Sequence, residues 1–281
     1  MRYAAVQSLH GLDYVWSRSA ETTSSITLQA VLAVYDALND DDDDIRILAA
    51  EVTRSCTRLK KDTGYYPSVI PLVASQRLAQ YLAETFSSSQ ELCSEAVVRL
   101  TGGSMSAFST KRTVSALLAE ARQDDTALFV VEKQNLFIDP VREARVWSRV
   151  LLALSPSAIS PLLARRLARW VVDGIATFKA AFEAEEDGAL GFTSKAEVFT
   201  LGIQVIYGAE VILEWRMRGI KTVAKGSDLR SRLFEWVEVG EKTGMHEMWI
   251  DAIHAILKKS VASRLGFVGA VLQDTMSKLG K

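Results

Sequence analysis

Between Leu32 and Glu51 the chain reads Leu-Ala-Val-Tyr-Asp-Ala-Leu-Asn-Asp-Asp-Asp-Asp-Asp-Ile-Arg-Ile-Leu-Ala-Ala-Glu. Few folds accept such a segment. Ahead of the carboxylates, Ile26, Val31, Val34, Tyr35 and Leu38 recur with a period near 3.6; behind them, Leu48, Val52, Cys56 and Leu59 do the same at i, i+4, i+8 and i+11. Two amphipathic helices joined by an acidic turn satisfy both halves. Asp41 to Asp44 then sit at the start of the second helix, where the macrodipole favours negative charge and a carboxylate accepts orphan N–H groups. Ala49 and Ala50 on the packing side let the helices approach. Stacked helix pairs of this kind are the unit of HEAT-type solenoids, where each pair buries its apolar face against its neighbours.

The same period runs on. Further helices are expected over Val69–Phe86, Gln90–Leu100, Lys111–Arg122, Val141–Leu154, Leu162–Glu185, Lys195–Arg218, Leu229–Lys242 and His246–Lys278. The five prolines (Pro67, Pro71, Pro140, Pro156 and Pro161) fall between these stretches or in their first turns, where a missing N–H is harmless. Thr101-Gly102-Gly103-Ser104, Gly188 to Ser194 and Gly226-Ser227-Asp228 supply helix ends followed by caps. Ala127 to Val131 is the best strand contender and is too short to carry a sheet. The expectation is an all-α, HEAT/armadillo-like helical-repeat solenoid segment. It is read as a single unit over 1–281, with HEAT-like pairs over 1–125 and longer, degenerate helices or a cap over 126–281.

Composition narrows the surroundings. Of the 281 residues 48% are hydrophobic and 24% charged, the balance of a soluble protein with a core. The apolar run Val205–Leu213 is interrupted by Tyr207, Gly208 and Glu210, short of the ~20 residues that cross a bilayer, so no membrane association is expected. Met1 to His10 lacks the pattern of a signal peptide. Two cysteines, Cys56 and Cys93, form no Cys-x-x-Cys pair, which suits a reducing compartment and a cytoplasmic address.

Chemistry-bearing patterns are few. Asp40, Asp42, Asp44 and Glu51 fall at liganding positions of an EF-hand loop, but Ile45 stands where that loop needs glycine. His246 and Glu247 begin a zinc-protease pattern that Ile250 breaks, and the chain's other histidines, His10 and His254, do not repair it. Gly102-Gly103-Ser104 lacks the spacing and the strand of a phosphate loop. No nucleophile elbow, dinucleotide fingerprint or activated cysteine occurs. The sequence therefore predicts no catalytic residue, no cofactor and no metal site.

Two basic stretches stand out against a net charge of -1. Arg165, Arg166 and Arg169 share a helix with Trp170. Arg216, Arg218, Lys221, Lys225, Arg230 and Arg232 surround a helix junction beside Trp215, with only Asp228 among them. Cations next to an aromatic suit RNA phosphates or an acidic partner, and this second cluster is the expected binding patch. An ordinary solvated junction would have the same composition.

The block Ala127-Leu-Phe-Val-Val-Glu-Lys-Gln-Asn-Leu-Phe-Ile-Asp-Pro-Val-Arg-Glu-Ala-Arg-Val-Trp147, with Leu38-Asn-Asp-Asp-Asp-Asp-Asp-Ile-Arg46, resembles the C-terminal region of the THADA family, the thyroid-adenoma-associated proteins and their fungal relatives. The segments Glu132–Asp139 and Arg142–Trp147 are its specific part. The resemblance implies a piece of a large helical-repeat protein whose fungal members are the non-catalytic partner of an FtsJ-like methyltransferase. That enzyme methylates the ribose 2′-hydroxyl of nucleotide 32 in the tRNA anticodon loop, and the S-adenosylmethionine belongs to it. The family's central Arg-Arg-Ser-Ala-Gly-Leu-Pro block has no counterpart: Arg165-Arg166-Leu167-Ala168 is a different sequence, so no family functional residue carries over. The implied partners are the methyltransferase and tRNA itself. The rival expectation is a general HEAT scaffold in trafficking, transport or cytoskeletal assembly that binds only protein.

Overall fold

The computed structural model describes residues 1–10, 25–56, 71–106, 113–123, 138–184, 195–221 and 226–259. They form α1 (Arg2–His10), α2 (Ser25–Ala37), α3 (Asp43–Cys56), α4 (Pro71–Thr85), α5 (Gln90–Leu100), α6 (Val114–Gln123), α7 (Pro140–Ala153), a 3-10 turn (Pro156–Ala158), α8 (Pro161–Ala184), α9 (Ala196–Met217) and α10 (Gly226–Thr243). A further helix, α11, occupies 247–259. There is no strand among the described residues, as the periodicity predicts. Gly188 to Ser194, Lys225 and residues 260–278 of the last expected helix lie outside them, as does most of the block from Ala127.

Local chemistry sets the helix starts. Pro71, Pro140 and Pro161 open α4, α7 and α8. Asp139 caps α7, its carboxylate accepting from the N–H of Val141 and Arg142 at 3.0 and 3.1 Å. Ser89 caps α5 through the Leu92 N–H at 3.1 Å. At the other end of α5, Gly102 (φ 58°) and Gly103 (φ 82°) turn the chain in the left-handed region, and the Gly103 N–H closes on the Val98 carbonyl at 2.8 Å.

The acidic turn behaves as a cap. The Asp42 carboxylate accepts from the Asp44 N–H at 2.9 Å, and its carbonyl from the Arg46 N–H at 3.1 Å, so Asp42 stands at the N-cap of α3. Arg46 folds back onto the Asp40 carbonyl and pairs with Asp43. Arg2 in α1 bridges Asp40 and Asp41 at 3.0 and 2.8 Å. These hydrogen bonds hold the Asp41 carboxyl below the usual carboxylate range.

Two details of the expected stripes are corrected. Ile26 is 82% exposed; α2 instead buries Leu28, Val31, Leu32, Val34 and Tyr35. In α3 the buried face is Ile45, Ala49, Ala50, Val52 and Thr53, with Leu48 half-buried at its edge. The buried alanines are where close approach needs them, and the period predicts the face's existence better than its rotation.

The described chain divides into two compact units, one of residues 1–108 and 125–163 and the other of residues 109–124 and 164–281. In the first, α1 packs on α2 and α3, α4 on α2, α3 and α7, and α5 on α7. Its centre is a polar knot. The Tyr35 hydroxyl and the Trp147 Nε1–H both donate to Glu143 Oε2, at 2.8 and 3.0 Å. Arg142 donates to Asn39 Oδ1 at 2.7 Å and pairs with Glu143. The Arg99 guanidinium lies 5.0 Å from the Trp147 ring centroid and 5.8 Å from that of Tyr35, while it binds Asp36 and Glu95. Burial works against that charge, but the two carboxylates outweigh it and raise the Arg99 pKa above its ordinary value.

In the second unit α9 packs on α6 and α10. This helix of 22 residues is long and apolar enough to cross a membrane by length and composition, despite Gly208 and Glu210. Two thirds of its most apolar window is buried inside the protein, the burial of a core helix. Phe178 and Phe182 of α8, Trp236 of α10 and Trp249 of α11 interlock, with ring centroids 5.2 to 6.3 Å apart. Gly174 of α8 lies against Val205 of α9, and Gly208 of α9 against Val171 of α8, a reciprocal close approach that a side chain would block.

Candidate functional site

The expected patch around the α9–α10 junction is only partly free to bind. Arg216 and Arg218 end α9, and Gly219 (φ 85°) turns the chain towards exposed Lys221. Arg218 Nε already pairs with Glu214 at 3.1 Å, one turn back. Arg230 is half-buried on α10, Arg232 is exposed on the same helix, and Lys225 lies outside the described residues. Trp215, the aromatic expected beside the cations, has 0% exposure, and Trp170 is also buried. Neither offers a face for a base, which corrects the aromatic half of the reading.

A different grouping forms between α8 and α10. Arg169, Asp173, Asp228 and Arg232 line a cleft of about 420 Å³, floored by Ala168, Val172 and Ala176. Thus Arg169 from the first basic stretch and Arg232 from the second line one cleft although they are far apart in sequence. Asp173 is anchored, accepting from the Val114 N–H at the start of α6 at 3.2 Å. Farther along, Arg232 also lines a smaller cleft of about 260 Å³ with Lys179, Glu183 and Glu235. There Lys179 and Glu235 pair at 2.8 Å, a hydrogen bond that lowers the Glu235 pKa and raises that of Lys179. Helical spacing could have found Arg165, Arg166 and Arg169 as one exposed face of α8; nothing in the sequence joins them to Arg232.

Among the described residues no group of three His, Cys, Asp or Glu side chains could hold a metal ion. Asp40 and Asp42 are committed to the turn and to Arg2. Cys93 is buried, and burial pushes its thiol up to about 12, which disfavours the reactive thiolate.

The two blocks that carry the family resemblance converge in the first unit. Asn39 of the Leu38–Arg46 block binds Arg142 of the Arg142–Trp147 block, and Glu143 and Trp147 close on Tyr35, just ahead of the acidic turn. Comparison with known proteins agrees in kind. Neither the curated proteins nor the solved structures contain a match to the chain. Residues 80–261, about two thirds of the chain, match the model of the Trm732 C-terminal family, described as the Trm72 ARM-like repeat region. An all-α structure of packed helices, matched over most of its length by that model, identifies the chain as a member of the Trm732 C-terminal ARM-like repeat family.

Proposed function

We propose that the chain is a non-catalytic helical scaffold in a tRNA-modifying complex, working in the cytoplasm beside an FtsJ-like methyltransferase. The partner supplies S-adenosylmethionine and the methyl transfer to a ribose 2′-hydroxyl of the anticodon loop. This chain holds the enzyme or the substrate in place. The observation that carries the reading is family membership over residues 80–261. An all-helical framework with exposed arginines on α8 and α10 supports it, because such a framework presents extended surfaces to macromolecules.

The test is affinity purification of the full chain from its own cells, with mass spectrometry of the proteins and sequencing of the RNA retained. The expected result is an FtsJ-like methyltransferase among the partners, and loss of one anticodon-loop 2′-O-methyl group when the gene is removed. Protein partners drawn only from trafficking or cytoskeletal assemblies, with tRNA methylation intact, would establish the general-scaffold alternative instead.

A further inference from the structure

We infer that the α8–α10 cleft of the second unit is a contact for RNA backbone phosphates, with Arg169 and Arg232 as the residues that grip one phosphate from two sides. The inference rests on the tRNA-scaffold reading and gives it a place on this chain. Its basis is how the cations of the described residues are used. Arg2, Arg46, Arg99, Arg142, Lys179, Arg218, Lys242 and Lys259 all lie in ion pairs. By contrast Arg169 and Arg232 make no hydrogen bond or ion pair among the described residues, although the charge of Arg232 is felt by Glu235 and Lys179. Both arginines line the same cleft. Planar donors with unspent N–H groups, presented from two helices, match an oxyanion bidentately.

Three features favour an RNA backbone over an acidic protein segment. Arg165 lies one helical turn before Arg169 on the exposed face of α8, about 6 Å along the axis, so the cations form a row such as a chain of phosphates needs. Among the described residues no aromatic side chain lines the cleft, which gives a base nothing to stack on there and leaves backbone contact independent of sequence. Asp173, which spends Oδ2 on the Val114 N–H, adds an acceptor to the cleft, and a ribose 2′-hydroxyl is a donor that DNA lacks.

The experiment compares the full chain, alone and with its methyltransferase, with the double variant Arg169→Ala/Arg232→Ala and with Arg77→Ala, an exposed arginine of the first unit. Binding to unmodified tRNA and to DNA of the same sequence is measured across a salt series, and circular dichroism confirms that each variant folds. The double variant is expected to keep its melting temperature, to bind tRNA more weakly, and to reduce the slope of log affinity against log salt. Loss of one phosphate contact reduces it by about 0.7 to 0.9. Arg77→Ala should match the parent, and the parent should prefer RNA to DNA. A folded double variant with unaltered affinity and slope overturns the inference, as does a parent chain that binds no RNA or binds DNA equally well. Loss of the methyltransferase with RNA binding intact would make the cleft a protein site and also overturn it. If no methyltransferase accompanies the chain but the salt series behaves as expected, the scaffold reading fails and the cleft stands.

Discussion

Glu143 holds a demanding position among the described side chains of the first unit. One of its oxygens takes both the Tyr35 hydroxyl and the Trp147 indole N–H, two donors on side chains that are themselves fully buried. Glu143→Ala strands both, and a buried donor left unmade costs about 1 to 3 kcal/mol, so urea unfolding should show a loss of about 3 kcal/mol. Glu143→Gln keeps an acceptor and should lose less. The neutral acids of the same unit predict alkaline lability. Burial raises the Cys93 thiol from 9.0 to about 12, and burial together with Glu143 raises the Tyr35 phenol well above its ordinary value. Both shifts favour the neutral form in the folded state. Their stabilisation is therefore full below the unfolded pKa and declines as pH rises through the interval to the folded one. Stability should be level to about pH 9, then fall by about 1.4 kcal/mol per pH unit for each ionising group. Urea midpoints at about pH 8 and about pH 10.5 check this, and Cys93→Ala should remove the part that begins near pH 9.

Helices in this chain are set by their caps and held by their small residues. Asp42, rather than Asp44, does the capping at α3, because the Asp42 carboxylate accepts from the Asp44 N–H. Asp42→Ala should cost about 1 kcal/mol, read as a lower melting temperature, while Asp44→Ala costs less. The same turn should show no thermal shift with millimolar calcium; a large shift would mean that the carboxylates leave their present partners for an ion. At α9 the contest is between propensity and packing. Gly202→Ala gains about 1 kcal/mol of helix propensity, but the added Cβ would clash with Trp249 Cζ2, in an indole fixed among Phe178, Phe182 and Trp236. Overpacking of this kind costs about 1 to 3 kcal/mol or more, so the variant should be less stable in denaturant unfolding. Gly208→Ala brings a Cβ to 2.8 Å from a methyl of buried Val171 and should also destabilise, by less than Gly202→Ala.

For the molecule as a whole, α9 is the feature most open to misreading. Its composition suits a bilayer, yet Val205, Ile206, Ala209, Val211 and Ile212 are fully buried in the second unit. The folded chain should remain in the supernatant when neutral phosphatidylcholine vesicles are sedimented; co-sedimentation would place α9 outside the core. The all-α class, the helix starts at Pro71, Asp139-Pro140 and Pro161, and the cap in the acidic turn were legible in the sequence because each depends on neighbours within about one helical turn. The rotation of α2, which leaves Ile26 in solvent, was not legible, since several apolar residues compete for one face and only the partner helices choose among them. Nor was the state of each cation. A run of basic residues announces itself in sequence, but Glu214 takes Arg218, α10 half-buries Arg230, and Arg169 shares a cleft with Arg232 only because the fold brings α10 beside α8. Short-range hydrogen bonding and the helical period are properties of the chain. Which charges are spent and which are left to meet a partner is a property of helices brought together from distant parts of it, and the tertiary structure alone decides it.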